Sequence, residues 1–251
     1  MVVTRGKRGA KAKERQLGLP FHQHGGARKG AGRKPNGSKA LVDHRPREAM
    51  ASRFPVHVTC RVARGLPRLR RRKERAVLLE AFAKGCDRFG MRLTHWGVLD
   101  DHLHLVCEAK GRDSLRRGMQ GLLIRIARAL NKLWQRKGKV WADRFHDRVL
   151  KTPREVRNVL CYVFGNGHKH SARNGGKGPN VQGPMDCYSS APWFDGFRPR
   201  IQTRGIEHLP TPVAPTRTWL LTKGWRRHGL LTPTANAPPP NAPTTKPPTA
   251  K

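Results

Sequence analysis

The chain has 251 residues, with 52 Lys+Arg against 16 Asp+Glu and a formal net charge of +36. That imbalance argues against an ordinary enzyme of small metabolites and for a polyanionic partner. Nucleic acid comes first and an anionic membrane second, because each phosphate neutralised releases counterions. No apolar run of about 18 residues is present to cross a bilayer. The basic N-terminus lacks the apolar core of a secretory signal, so the protein is expected to be intracellular.

Residues 1–50, rich in Lys, Arg, Gly and His without a sustained apolar period, read as a disordered basic arm. Inside it, the Gly-Arg-Lys-Pro run ending at Pro35 has two readings: a minor-groove hook with Arg33 as the reading residue, or a polycation that touches phosphates without preference. From Phe54 the texture changes. Val56, Val58, Cys60 and Val62 alternate with His57, Thr59 and Arg61, the pattern of a strand with one buried face. A helix is predicted over 73–89, with Val77, Leu78, Ala81, Phe82 and Phe89 inward and Gly90 as its stop.

A second strand follows over 91–99, and Asp100-Asp101 makes a tight turn into a third, D-D-H-L-H-L-V-C-E. Asp113 or Ser114 caps the next helix, whose Leu115, Met119, Leu122, Ile126, Leu130 and Leu133 recur at steps of three and four, and Gly138 ends it. Its other faces are cationic. A fourth extended piece spans 145–150. The order strand, helix, strand, strand, helix, strand is that of an α+β, ferredoxin-like antiparallel sheet with helices on one face, in which the first and third strands lie side by side.

Two places carry chemistry. On a strand with period-two alternation, His102 and His104 share a face while Leu103, Leu105 and Cys107 enter the core behind them. Paired imidazoles form half of a divalent metal site; otherwise they are two polar residues on a wet face. Next, Thr152-Pro153-Arg154-Glu155 is a full helix start, with Thr152 as N-cap, Pro153 at the first helical position and Glu155 closing a capping box. The stripe of that helix is Val156, Val159, Leu160 and Val163, which leaves Tyr162 and Asn166 together on its flank, where packing does not require a tyrosine. The five cysteines, Cys60, Cys86, Cys107, Cys161 and Cys187, contain no C-x-x-C pair and read as reduced thiols.

The stretches H-V-T-C-R-V from His57, D-H-L-H-L from Asp101, D-R-F-H from Asp143 and T-P-R-E-V-R-N-V-L-C-Y-V-F-G-N from Thr152 resemble the single-tyrosine HUH transposases of insertion sequences and their relatives associated with repetitive palindromes. The resemblance covers about residues 50–170. It implies that His102 and His104 are metal ligands, that Asn166 stands where the family carries a third polar ligand, often Gln, and that Tyr162 is the nucleophile. The implied reaction is transesterification on single-stranded DNA through a 5′-phosphotyrosine, with Mg²⁺ or Mn²⁺ holding the scissile phosphate. A phenol of ordinary pKa about 10 needs help to lose its proton, from the metal or a cation such as Lys169.

Stacking on Trp96, Trp134 or Trp141 would favour single strands. The resemblance also implies hairpin DNA ends as partner, a homodimer, and a bacterial, nucleoid-associated cytoplasmic location. The expected organisation is an arm over 1–50, a catalytic domain over 51–170, a linker over 171–184, a small extension over 185–231 holding Trp193, Trp219 and Trp225, and a disordered Pro-rich tail over 232–251. Tyr188, beside Ser189-Ser190 in a segment without helical period, ranks below Tyr162 as nucleophile. Two other functions fit the same residues: a non-catalytic nucleic-acid-binding protein, and a host-adapted enzyme that nicks palindromic repeats.

Overall fold

Alternation of small apolar side chains with polar ones builds a sheet with two different faces. The computed structural model describes residues 49–173, 186–198 and 210–232, with side chains described up to Gly165 in the first stretch. Arg33 with the arm up to residue 48, residues 174–184 of the expected linker and the tail beyond residue 232 therefore lie outside the described residues, while residues 171–173, expected as linker, continue the last long helix. Element order is β1 (Val56–Arg61), α1 (Arg72–Gly85), β2 (Asp87–Arg88), β3 (Met91–Val98), β4 (His102–Ala109), α2 (Arg112–Leu133), β5 (His146–Val149) and α3 (Pro153–Arg173). The strands form one antiparallel sheet in the order β2-β3-β4-β1-β5. Without the two-residue β2 this is the expected ferredoxin-like arrangement, with β1 beside β4 at the centre.

Val56, Val58 and Cys60 of β1 and Leu103, Leu105 and Cys107 of β4 bury one face of the sheet against Leu78 and Phe82 of α1 and Leu115, Met119, Leu122 and Ile126 of α2. Burying such side chains contributes roughly 1.5–3 kcal/mol each and makes this layer the mechanical base of the molecule. The two crossover helices thus share one face, as expected. The third helix covers the other: Val156, Val159, Leu160 and Val163 of α3 pack with Val106 of β4. Its start is the capping box foreseen in the sequence, with Glu155 N–H donating to Thr152 Oγ1 at 3.2 Å and Thr152 N–H donating to Glu155 Oε2 at 3.0 Å.

Three local expectations are corrected. Helix α1 stops at Gly85, four residues before Phe89, because Asp87 and Arg88 turn back to pair with Arg92 and Met91. The intervening Phe89 (φ 56°) and Gly90 (φ 73°) form a two-residue turn with both residues left-handed, as a tight hairpin requires. Phe89 is therefore 54% exposed, not core, with the Arg117 guanidinium over its ring. Helix α2 is preceded by Gly111, which offers no side-chain cap, and Asp113 lies inside its first turn. The helix ends at Leu133, with left-handed Gln135 (φ 50°) turning the chain before Gly138 is reached.

A bulge between Leu93 and His95 shifts the alternation of β3. Trp96 then points into the α1/α2 core at 1% exposure, its ring 5.0 Å from that of Phe82. Beyond β2, the free edge of β3 is covered by the chain itself, since Val98 N–H donates to Tyr188 O and Ser190 N–H to Trp96 O, each at 2.8 Å. This segment is anchored by a bidentate pair between Arg70 and Asp186, 2.8 Å on both arms and almost wholly buried. Farther on, buried Glu108 accepts the backbone N–H groups of Arg217 and Thr218 ahead of α4 (Trp219–Thr222). Among the described residues no helix is long and apolar enough to cross a membrane.

Candidate active site

The face of the sheet beneath α3 is set by register. Thr59 pairs with His104 and Arg61 with His102, while on the other side of β1, His57 pairs with Arg148 and Thr59 with His146. Cross-strand partners point the same way, so His57, Thr59, His102, His104, His146 and Arg148 share this face. The first and third predicted strands were expected side by side, and the register of that pairing brings His57 and Thr59 next to the histidine pair.

The histidines are held at both ends. Nε2 of His102 and Nε2 of His104 are 3.1 Å apart. On the far side, His102 Nδ1 meets Asp101 Oδ1 at 2.6 Å, and His104 Nδ1 meets His57 Nε2 at 3.2 Å and Thr59 Oγ1 at 3.3 Å. Burial, with the charges of His146 and Arg148 added, pushes the His57 imidazole down to about 4, so it is neutral and can accept. Burial pushes the Asp101 carboxyl up, but its hydrogen bond to His102 and the charges of His102 and Arg61 outweigh this and hold it below its ordinary value. In the tautomers whose Nδ1–H groups donate outward, both Nε2 lone pairs face a common point. Two nitrogens 3.1 Å apart subtend roughly a right angle at a cation about 2.1 Å from each, the spacing of adjacent ligands on a six-coordinate ion.

Tyr162 comes to this pair from above. Its ring centroid is 4.8 Å from that of His104 and 6.3 Å from that of His57, in edge-on contacts, and its ring packs on the α3 side of the core. Asn166 follows one helical turn later on α3, and its side chain, like that of Lys169, lies outside the described residues. Among the described residues no three His, Cys, Asp or Glu side chains are grouped to hold a metal. The histidine pair thus needs a donor of another kind to complete a cation site, and an amide oxygen such as that of Asn166 has suitable chemistry.

Other expectations sort clearly. Tyr188 is bound into the edge of β3, with the Arg70 guanidinium 4.5 Å above its ring. Trp96 is too deeply buried to stack on a base, Trp134 donates to Glu74 Oε1 at 2.9 Å, and Trp141 donates to Leu123 O at 3.0 Å. The exposed large aromatic on the C-terminal segment is Trp219, at 46%, under Arg227. None of the five cysteines is bridged. Sequence reasoning treated Asp101 only as a turn residue and missed it as the partner of His102. The available signal was a carboxylate directly before the first histidine of the strand.

The family model described as Transposase IS200 like matches residues 51–163, which include His57, His102, His104 and Tyr162 and end before Asn166. Five solved chains match. One is a REP-associated tyrosine transposase bound to a REP hairpin, 14% identical, with a TM-score of 0.45, over 60% of this chain and 83% of that one. No curated protein sequence matches.

Proposed function

Since the chain belongs, through residues 51–163, to the family of IS200-like transposases, we propose that it cuts and rejoins single-stranded DNA with Tyr162 as nucleophile and His102, His104 and Asn166 as ligands of Mg²⁺ or Mn²⁺. The observation that carries this reading is the approach of the Tyr162 ring to His104, 4.8 Å between centroids, within one chain. This contact supports a site whose phenol and imidazoles come from one chain, with the homodimer implied by the resemblance as a separate expectation.

In the reaction the Tyr162 hydroxyl attacks the scissile phosphorus, the P–O3′ bond breaks, and the products are a 5′-phosphotyrosine and a free 3′-hydroxyl. The phosphoester is conserved, so a second 3′-hydroxyl can reverse the step on another strand without an external energy source. A divalent ion held by His102, His104 and Asn166 would withdraw charge from the phosphate oxygens. His102 and His104 hold their Nε2 lone pairs toward one point because Asp101, His57 and Thr59 fix their Nδ1 atoms. Helix α3 keeps the Tyr162 ring against His104 and His57, on the face of the sheet that carries the histidine pair. Arg61 and Arg148 lie on the same face and suit the phosphates on either side.

The test uses single-stranded DNA carrying a hairpin, end-labelled, with Mn²⁺. Wild type is expected to form a protein–DNA adduct that survives denaturation; Tyr162→Phe is expected to form none, and His104→Ala at least a hundredfold less. An equal lack of adduct from wild type and Tyr162→Phe would reduce the protein to a nucleic-acid binder.

A further inference from the structure

On the same side of the sheet, a cavity of about 430 Å³ opens between β3 and the two C-terminal segments. It lies toward the smaller end of ligand pockets. Its floor is His95, only 7% exposed, whose imidazole makes no hydrogen bond among the described residues and lines the cavity. The imidazole is held edge-on by Phe164 at 5.6 Å and Phe194 at 5.3 Å between centroids. Trp193, Phe194, Val213 and Leu221 supply apolar wall. At the mouth Arg226 donates to Asp195 at 2.8 Å.

We propose that this cavity is a binding site for one unpaired base of the DNA strand, read by His95 and walled by Phe194 and Trp193. The proposal rests on the reading of the chain as a single-strand DNA enzyme and goes on to say where a base is held. A polar floor with a flat aromatic wall suits a planar heterocycle with hydrogen-bonding edges, and only a base out of a duplex can enter such a recess. Asp195 neutralises Arg226 at the mouth and repels phosphate, so the part of the ligand inside is uncharged. Burial pushes the His95 imidazole down to about 4, so it presents one donor and one acceptor at neutral pH. His95 pairs with Val106, two residues along β3 from Gly97, the partner of His104, or about 7 Å by strand rise. Between the two, the Val163 backbone of α3 sits over Gly97, so a base held there lies across α3 from the histidine pair.

The experiment measures binding by full-length Tyr162→Phe protein of the four homopolymeric tetranucleotides and of an abasic tetramer with the same phosphates. Homopolymers remove the question of register. The expected result is that at least one base-bearing tetramer binds about tenfold or more tighter than the abasic one, the scale of a single stacked base. Adding Val213→Trp, which fills the cavity from its rim, should cut that advantage at least fivefold. Adding His95→Phe, which keeps the aromatic packing, should remove the preference among the four bases.

Thermal melts of both variants establish that they are folded. No advantage of any base over the abasic tetramer, or an advantage unchanged by both substitutions, overturns the proposal. Base preference without an adduct in the Mn²⁺ assay sinks the chemistry and keeps the pocket; an adduct without base preference does the reverse.

Discussion

A neutral imidazole has one lone pair to offer, and which nitrogen carries it depends on what the other holds. Asp101 decides this for His102 through a 2.6 Å contact at Nδ1, and His57 with Thr59 decides it for His104. Removing the charge while keeping the shape should therefore act through the ligand. Asp101→Asn is expected to weaken Mn²⁺ affinity about 10–100-fold, the usual effect of losing such an outer partner, with no loss of thermal stability. Titrating Mn²⁺ against adduct yield reads this directly; an unshifted midpoint would show that the carboxylate does not orient His102. Asp101 was visible in the sequence only as a turn residue, because its second role needs the angle at which the strand leaves the turn.

At the level of elements, α3 is the part on which the site depends most. Its start, stripe and flank were all legible, since a capping box and a 3.6-residue period are local properties of the chain. Its seat on the sheet was not. It lies so close over β3 that a Cβ added at Gly97 would be 2.6 Å from the backbone oxygen of Val163, beside Tyr162. That neighbour is main chain and cannot turn aside. Gly97→Ala should push α3 off the sheet, lower stability by about 1–3 kcal/mol, and cut adduct formation more than tenfold while single-strand binding stays near wild type. Adduct formation at the wild-type rate in a destabilised Gly97→Ala protein would mean that α3 does not need this close seat to present its tyrosine. The ends of α1 and α2 were misread for a related reason. Phe89 has the apolar character of a core residue, but the β2–β3 pairing claims the chain first and leaves its ring outside.

On the scale of the whole molecule, the charge of +36 favours a polyanion but does not choose where single strands lie. Stability adds a pH dependence. His95 titrates at about 4 in the folded protein against an ordinary 6.5, burial outweighing the opposing charges of Glu108 and Asp195. Above pH 6.5 both states are neutral and its contribution is full; between 6.5 and about 4 only the unfolded chain takes up the proton, so stability falls as pH falls. The slope is about 1.4 kcal/mol per pH unit for one such histidine. Denaturant unfolding of wild type and His95→Phe across this range should show the wild type losing ground toward acid. Parallel curves would mean that His95 is not shielded as its burial implies.

The order of strands and helices, the histidine pair, the capped helix and the tyrosine on its flank were all present in the amino-acid sequence, because periodicity and capping act over a few residues. Which face α3 covers, how the bulge at Leu93 and His95 sends Trp96 inward, and how Asp101, His57 and Thr59 orient the two imidazoles were decided only by tertiary structure. Each depends on register or packing between segments tens of residues apart, where a shift of one residue exchanges the two faces of a strand.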